Sequence, residues 1–103
     1  MRVGIDTSVI VAAVHVNHPA HSIAASWLDG AFATKEIVVA HHSIIESYAV
    51  LTRLPAGYRL SPSEAETVLR ETLQENASIA PFASPSSWDT LRSLVDAPSA
   101  GGA

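Results

Sequence analysis

The chain of 103 residues contains no cysteine, which excludes disulfides, zinc–thiolate sites and thiol catalysis. Long apolar runs are also missing: the longest, Val9 to Val14, is far shorter than the ~20 residues that a membrane-spanning helix needs. The segment after Met1 lacks the apolar pattern of a secretory signal. We therefore expect a cytoplasmic protein with no membrane association.

Charged side chains are scarce, at 16% of the residues against 48% apolar ones. This composition is typical of a folded chain, and the length suits one small domain. A net charge of −4 argues against nucleic-acid binding driven by overall charge, although a metal in a cleft can reverse the local field. The apolar excess also favours a surface that a partner covers, such as a second copy in a homodimer.

Short apolar segments alternate with helical patterns along the chain. Ser61-Pro62-Ser63-Glu64 is a capping box that predicts a helix start, whereas Gly30 predicts a helix end. Trp27 and Trp88 occur at the spacing of core residues. Strands are predicted at 2–6, 37–40 and 78–82, and helices at 7–14, 20–28, 43–54, 62–75 and 86–95. Strands separated by helices predict an α/β fold with a parallel sheet.

Asp6 ends the first predicted strand, at the edge where open α/β sheets keep their ligand sites. Asp6 also suits the N-cap of the helix that follows, and the two roles are compatible. Glu46 is a second candidate because its helix starts at the same edge, although the residues alone favour an exposed helix position for it. Two converging carboxylates repel each other unless a cation lies between them, and oxygen ligands favour Mg²⁺ or Mn²⁺.

Other residues offer alternative sites. Imidazoles bind transition metals, so the five histidines leave a zinc site open beside simple exposure in loops and helix starts. His42 and Glu46 share a helix face if that helix begins early enough. Arg53 and Arg59 are candidates for phosphate contacts or for ordinary surface positions. The histidines are His15, His18, His21, His41 and His42.

Two segments, Val3 to Ile10 and Ile44 to Pro55, resemble the PIN-domain nucleases, and in particular the VapC-type toxins of toxin–antitoxin pairs. The resemblance covers essentially the whole chain. It implies a three-layer α/β/α domain with a small parallel sheet that cleaves RNA with Mg²⁺ or Mn²⁺. Asp6 and Glu46 match the catalytic, metal-binding acids, and Thr7 or Ser8 matches the hydroxyl that orients the first acid.

The same resemblance implies an RNA substrate and a cognate antitoxin as partners. Members usually add a third aspartate in a later segment, and this chain reaches Gly101-Gly102-Ala103 where that segment would begin. Asp89 and Asp96 are the only late acids. We therefore expect one PIN-like domain over residues 1–103 that is truncated at its C-terminus and lacks its last strand and helix. The alternative function is a catalytically incomplete fragment that acts only by binding a partner chain or a complementing fragment.

Overall fold

The computed structural model describes residues 1–80 and 86–97, and the elements below are those of this part of the chain. None of its helices is long and apolar enough to cross a membrane. The elements are β1 (Arg2–Ile5), α1 (Thr7–Val14), α2 (His21–Thr34), β2 (Glu36–Ala40), α3 (His41–Thr52), α4 (Pro62–Leu73), β3 (Ala77–Ala80) and α5 (Ser87–Asp96).

The sheet is parallel, in the order β1-β2-β3. Arg2 lies opposite Glu36 at one end of the first pair of strands, and Ile37 lies opposite Ala77 in the second pair. Parallel neighbours require helical crossovers, which place helices between successive strands. The predicted three-layer α/β/α fold is confirmed. All strands end at the same edge, where α1 and α3 begin directly after β1 and β2.

The core lies between the sheet and the helices. The second half of α1, from Ile10 to Val14, is buried, because this short apolar helix packs against α2, α3 and α4. The central strand buries Ile37 and Val39. The largest fully buried side chains of the helices are Ile10, Leu28, Ile44, Leu51, Leu69, Leu73 and Leu91.

The structure differs from the sequence predictions at several points. Helix α2 continues through Gly30 to Thr34, because a glycine inside a helix costs only about 1 kcal/mol and Leu28 and Ala31 anchor the turn on both sides of it. Trp27 is 45% exposed, so its predicted core position is wrong.

Trp88 packs against the edge of the core, with the Arg70 guanidinium 5.5 Å from its ring centroid. Residues 81–82 of the third predicted strand lie outside the described residues. Helix α3 begins at His41, two residues earlier than predicted, which places His42 and Glu46 on one face of the same helix.

A candidate metal site at the carboxyl edge of the sheet

Asp6 leaves β1 and caps α1. Its Oδ1 accepts hydrogen bonds from the Ser8 hydroxyl at 2.8 Å and from the Val9 amide at 3.2 Å. These two donors hold the pKa of the Asp6 carboxyl below its ordinary value, because they stabilise the charged form. The N-cap role is therefore confirmed. It leaves a charged, exposed carboxylate at the edge of the sheet.

Glu46 lies in the second turn of α3 and is exposed. Its Oε1 accepts a hydrogen bond from the hydroxyl of Thr7, the first residue of α1. This contact spans 39 residues of sequence and links the start of α1 to α3 directly. The two helices meet here because β1 and β2 are parallel neighbours and both release their helices at the same edge.

The two hydroxyls after Asp6 serve different acids. Ser8 holds Asp6, as the sequence allowed, while Thr7 holds Glu46. Sequence reasoning missed the second assignment, since it matched either hydroxyl to the first acid only. No local pattern signals a bond between residues so far apart in the chain. The arrangement orients both carboxylates from one short stretch of α1.

The charge around these acids suits a cation. Within residues 1–80 and 86–97, neither Asp6 nor Glu46 forms an ion pair with a basic side chain. Both instead receive hydrogen bonds from uncharged donors, which orient a carboxylate without neutralising it. Hard oxygen donors of this kind fit Mg²⁺ or Mn²⁺, and Mg²⁺ is commonly held by one or two carboxylates with waters and substrate phosphates.

The alternative ligands do not join this site. The described residues contain no group of three or more acidic or histidine side chains placed to hold a metal ion, so the zinc alternative gains no support. His41 Nδ1 instead lies 2.5 Å from the Ser87 hydroxyl. Asp89, in the first turn of α5, and Asp96, at its end, are both exposed.

Glu66 is a buried acid that sequence reasoning did not single out. It lies on α4, and its Oε2 accepts hydrogen bonds from Arg70 at 2.9 Å and from Arg92 at 2.8 Å. Burial by itself would raise the pKa of Glu66, but the two guanidinium groups outweigh it and the net pKa is lowered. Glu66 is thus a structural acid that joins α4 to α5.

Comparison with known proteins identifies relatives of the chain. The PIN domain family matches residues 3–96. The chain is similar to Ribonuclease VapC27 of Mycobacterium tuberculosis strain H37Rv, with 37% identity over 67 residues that cover 65% of this chain and 46% of that protein. It is also similar to Ribonuclease VapC40 of the CDC 1551 / Oshkosh strain, with 32% identity over 71 residues that cover 69% and 49%.

The chain therefore spans about half the length of the curated relatives it matches. No solved structure matches it.

Proposed function

The chain belongs to the PIN-domain family, and from that premise we propose that it is a metal-dependent endoribonuclease, the toxin of a type II toxin–antitoxin pair. The observation that carries the proposal is the juxtaposition of two exposed carboxylates, Asp6 and Glu46, that α1 orients through hydroxyl groups. The relatives named as VapC ribonucleases support the same reading.

In this proposal Asp6 and Glu46 hold a Mg²⁺ or Mn²⁺ ion and are the catalytic residues. When bound, that ion would activate a water and stabilise negative charge on an RNA phosphate. The contribution of the chain is orientation. Ser8 and the Val9 amide hold the Asp6 carboxylate, and Thr7 holds the Glu46 carboxylate, so that neither has to be ordered when a ligand arrives.

The proposed protein partners are an antitoxin and a second copy of the chain. Helix α2 supports a protein partner, because Ile23 and Trp27 lie one turn apart and are 78% and 45% exposed. Exposed apolar side chains that cluster in this way are typical of surfaces that another protein covers. An RNA substrate is proposed for the carboxyl edge of the sheet.

The test is cleavage of a fluorescein-labelled pool of random single-stranded RNA with Mn²⁺. We expect Asp6→Asn to reduce the rate by about 1000-fold, because several kcal/mol of charge stabilisation depend on the ion. Asparagine caps a helix as well as aspartate, so the thermal unfolding midpoint should stay unchanged. Asp29→Asn, which alters an exposed acid on α2, is the matched control. Normal cleavage by Asp6→Asn would overturn the assignment.

A second candidate is binding without catalysis. It is favoured by the finding that residues 1–80 and 86–97 contain no group of three or more acidic or histidine side chains that could hold a metal ion. Calorimetry with Mn²⁺ alone separates the two candidates. Mn²⁺ binding together with RNA cleavage supports the enzyme. A wild-type protein that neither binds Mn²⁺ nor cleaves RNA supports the second candidate, which binds a partner chain only.

A further inference from the structure

A surface depression leads away from the proposed metal site along α3. Glu46 and Val50 share one face of this helix, and Arg53 is the residue that caps its C-terminus. They line a depression that ends at Leu54 and Pro55. The depression therefore begins at an acid of the site and follows the exposed side of the helix for about 10 Å.

A more enclosed cavity adjoins the same two residues. Leu54 and Pro55 also line a cavity of about 320 Å³ that Pro19, His18 and Tyr58 close. We refer to the depression and the cavity together as the α3 groove, which runs from Glu46 past Arg53 to Tyr58. The cavity has mostly apolar walls and is near the lower limit of small-ligand pockets, which suits one flat group rather than a larger ligand.

The electrostatics of the α3 groove differ from those of the rest of the chain. The net charge is −4, yet Arg53 and Arg59 both lie at this end of α3 and form no ion pair among the described residues. The Arg59 guanidinium is held at the groove, because its Nε donates to the Leu54 carbonyl at 2.8 Å. The other arginines form the pairs Arg2–Glu36, Arg70–Glu66 and Arg92–Glu66.

The cavity carries a few fixed polar groups. His15 is buried and its Nε2 donates to the Tyr58 carbonyl at 2.7 Å, which holds the loop that carries the tyrosine. His18 Nδ1 accepts from the Ala20 amide at 2.9 Å, so in the neutral ring Nε2 carries the hydrogen and is a donor. The Tyr58 residue is 55% exposed. An exposed aromatic ring beside basic side chains is the combination that binds single-stranded nucleic acid.

We propose that the α3 groove is a nucleotide subsite, an inference that rests on the proposed ribonuclease function. A single strand of RNA that passes over Glu46 places a backbone phosphate against Arg53. A neighbouring base enters the cavity and stacks on Tyr58. Arg53 and Tyr58 are then positioning residues, because they contact parts of the RNA strand away from the phosphate that reacts.

The test measures RNA binding with no metal present. A fluorescein-labelled pool of 12-nucleotide random single-stranded RNA is titrated in EDTA, over a series of salt concentrations, and followed by fluorescence anisotropy. We expect Arg53→Gln to reduce the slope of log affinity against log salt by about 0.7, the value of one lost phosphate contact. Tyr58→Ala should weaken binding by about tenfold with the slope unchanged, since stacking is lost and charge is not.

Two controls complete the design. Tyr58→Phe keeps the ring and should bind like the wild type. Lys35→Gln removes an exposed cation that lines neither part of the α3 groove, and it should leave both the affinity and the salt slope at their wild-type values. Wild-type affinity and slope in both Arg53→Gln and Tyr58→Ala would overturn the subsite.

Cleavage kinetics separate this inference from the function on which it rests. With Mn²⁺ present, Arg53→Gln should raise KM and leave kcat unchanged, as expected for lost ground-state binding. Wild-type cleavage with unaltered KM in both variants rejects the subsite and keeps the ribonuclease. If the wild-type protein does not cleave RNA and both variants bind RNA more weakly than the wild type, the ribonuclease is rejected and an RNA-binding groove is kept. A wild-type protein that binds no RNA rejects the subsite.

Discussion

The carboxylates of two regions, the α4–α5 contact and the carboxyl edge of the sheet, receive different kinds of hydrogen-bond donor. Glu66, at the first place, is buried and receives guanidinium groups from Arg70 and Arg92. Asp6 and Glu46, at the second, are exposed and receive hydroxyl or amide hydrogens. The first acid is neutralised by the protein itself, and the other two keep their charge.

This difference has a physical basis. A buried charge without partners costs several kcal/mol, so Glu66 is tolerated only because two arginines face it. An exposed carboxylate has no such cost and needs no cation for stability. Hydroxyl and amide donors can therefore orient Asp6 and Glu46 without neutralising them. The negative charge of these two carboxylates stays available to an external ion. The first arrangement is typical of structure, the second of a binding site.

Glu66→Gln should weaken the buried contact between α4 and α5, and it has the largest expected effect on stability. Removing the charge leaves two guanidinium groups with only a neutral amide oxygen as acceptor and no counter-charge, and we expect the free energy of unfolding to fall by about 2–3 kcal/mol in urea denaturation. This is below the full cost of breaking a buried pair, because the Arg92 side chain is 57% exposed and can be hydrated.

The control for Glu66→Gln is Glu71→Gln, which alters an exposed acid on the same helix. Cleavage per folded molecule should stay at the wild-type rate in both variants. Asp6→Asn, in contrast, should lose cleavage and keep its stability. A Glu66→Gln protein as stable as the wild type would show that the contact between α4 and α5 does not depend on this charge.

The stability of the protein should also depend on pH through Glu66. Its pKa in the folded state lies below the ordinary value of 4.5, despite burial, because Arg92 and Arg70 stabilise the carboxylate. The stabilisation is therefore complete above about pH 4.5 and is lost as the pH falls through the lower, folded-state pKa. Unfolding midpoints measured between neutral and acidic pH should fall less steeply in Glu66→Gln than in the wild type.

Thr7→Val tests the exposed carboxylates at the carboxyl edge of the sheet. It removes the hydroxyl that orients Glu46 and keeps the side-chain volume. Groups that orient a metal ligand typically contribute 10- to 100-fold, and we expect Mn²⁺ affinity to fall by about tenfold in calorimetry. Thr7→Ser keeps the hydroxyl and should restore most of the affinity. Equal weakening by both substitutions would indicate a packing effect instead.

Ser8→Ala has the smallest expected effect. The Ser8 hydroxyl is the main cause of the lowered pKa of Asp6, so its removal should move that pKa upward toward the ordinary value. Since Asp6 must be charged to bind a cation, the acidic limit of Mn²⁺ binding should move to higher pH. An unchanged acidic limit would show that the Val9 amide alone sets the charge of Asp6.

Much of the fold was accessible from local patterns. The capping box at Ser61 and Glu64 begins α4 as predicted, and α1 has the predicted bounds. Apolar periodicity failed at Trp27, because the spacing of residues within a helix does not reveal how much of its apolar face another element covers. Gly30 failed as a helix end for the related reason that tertiary packing of the next turn outweighs a weak local preference.

The site divides in the same way. By itself the sequence determined the strand-end position of Asp6, its cap on α1 and the placement of Glu46 in the helix after β2, because these depend on residues close together in the chain. Only the tertiary structure decided that Thr7 holds Glu46 and that Glu66 faces two arginines. It also decided that Leu54 and Pro55 line both the depression beside Glu46 and the cavity beside Tyr58. Those contacts depend on which helices the parallel sheet brings side by side.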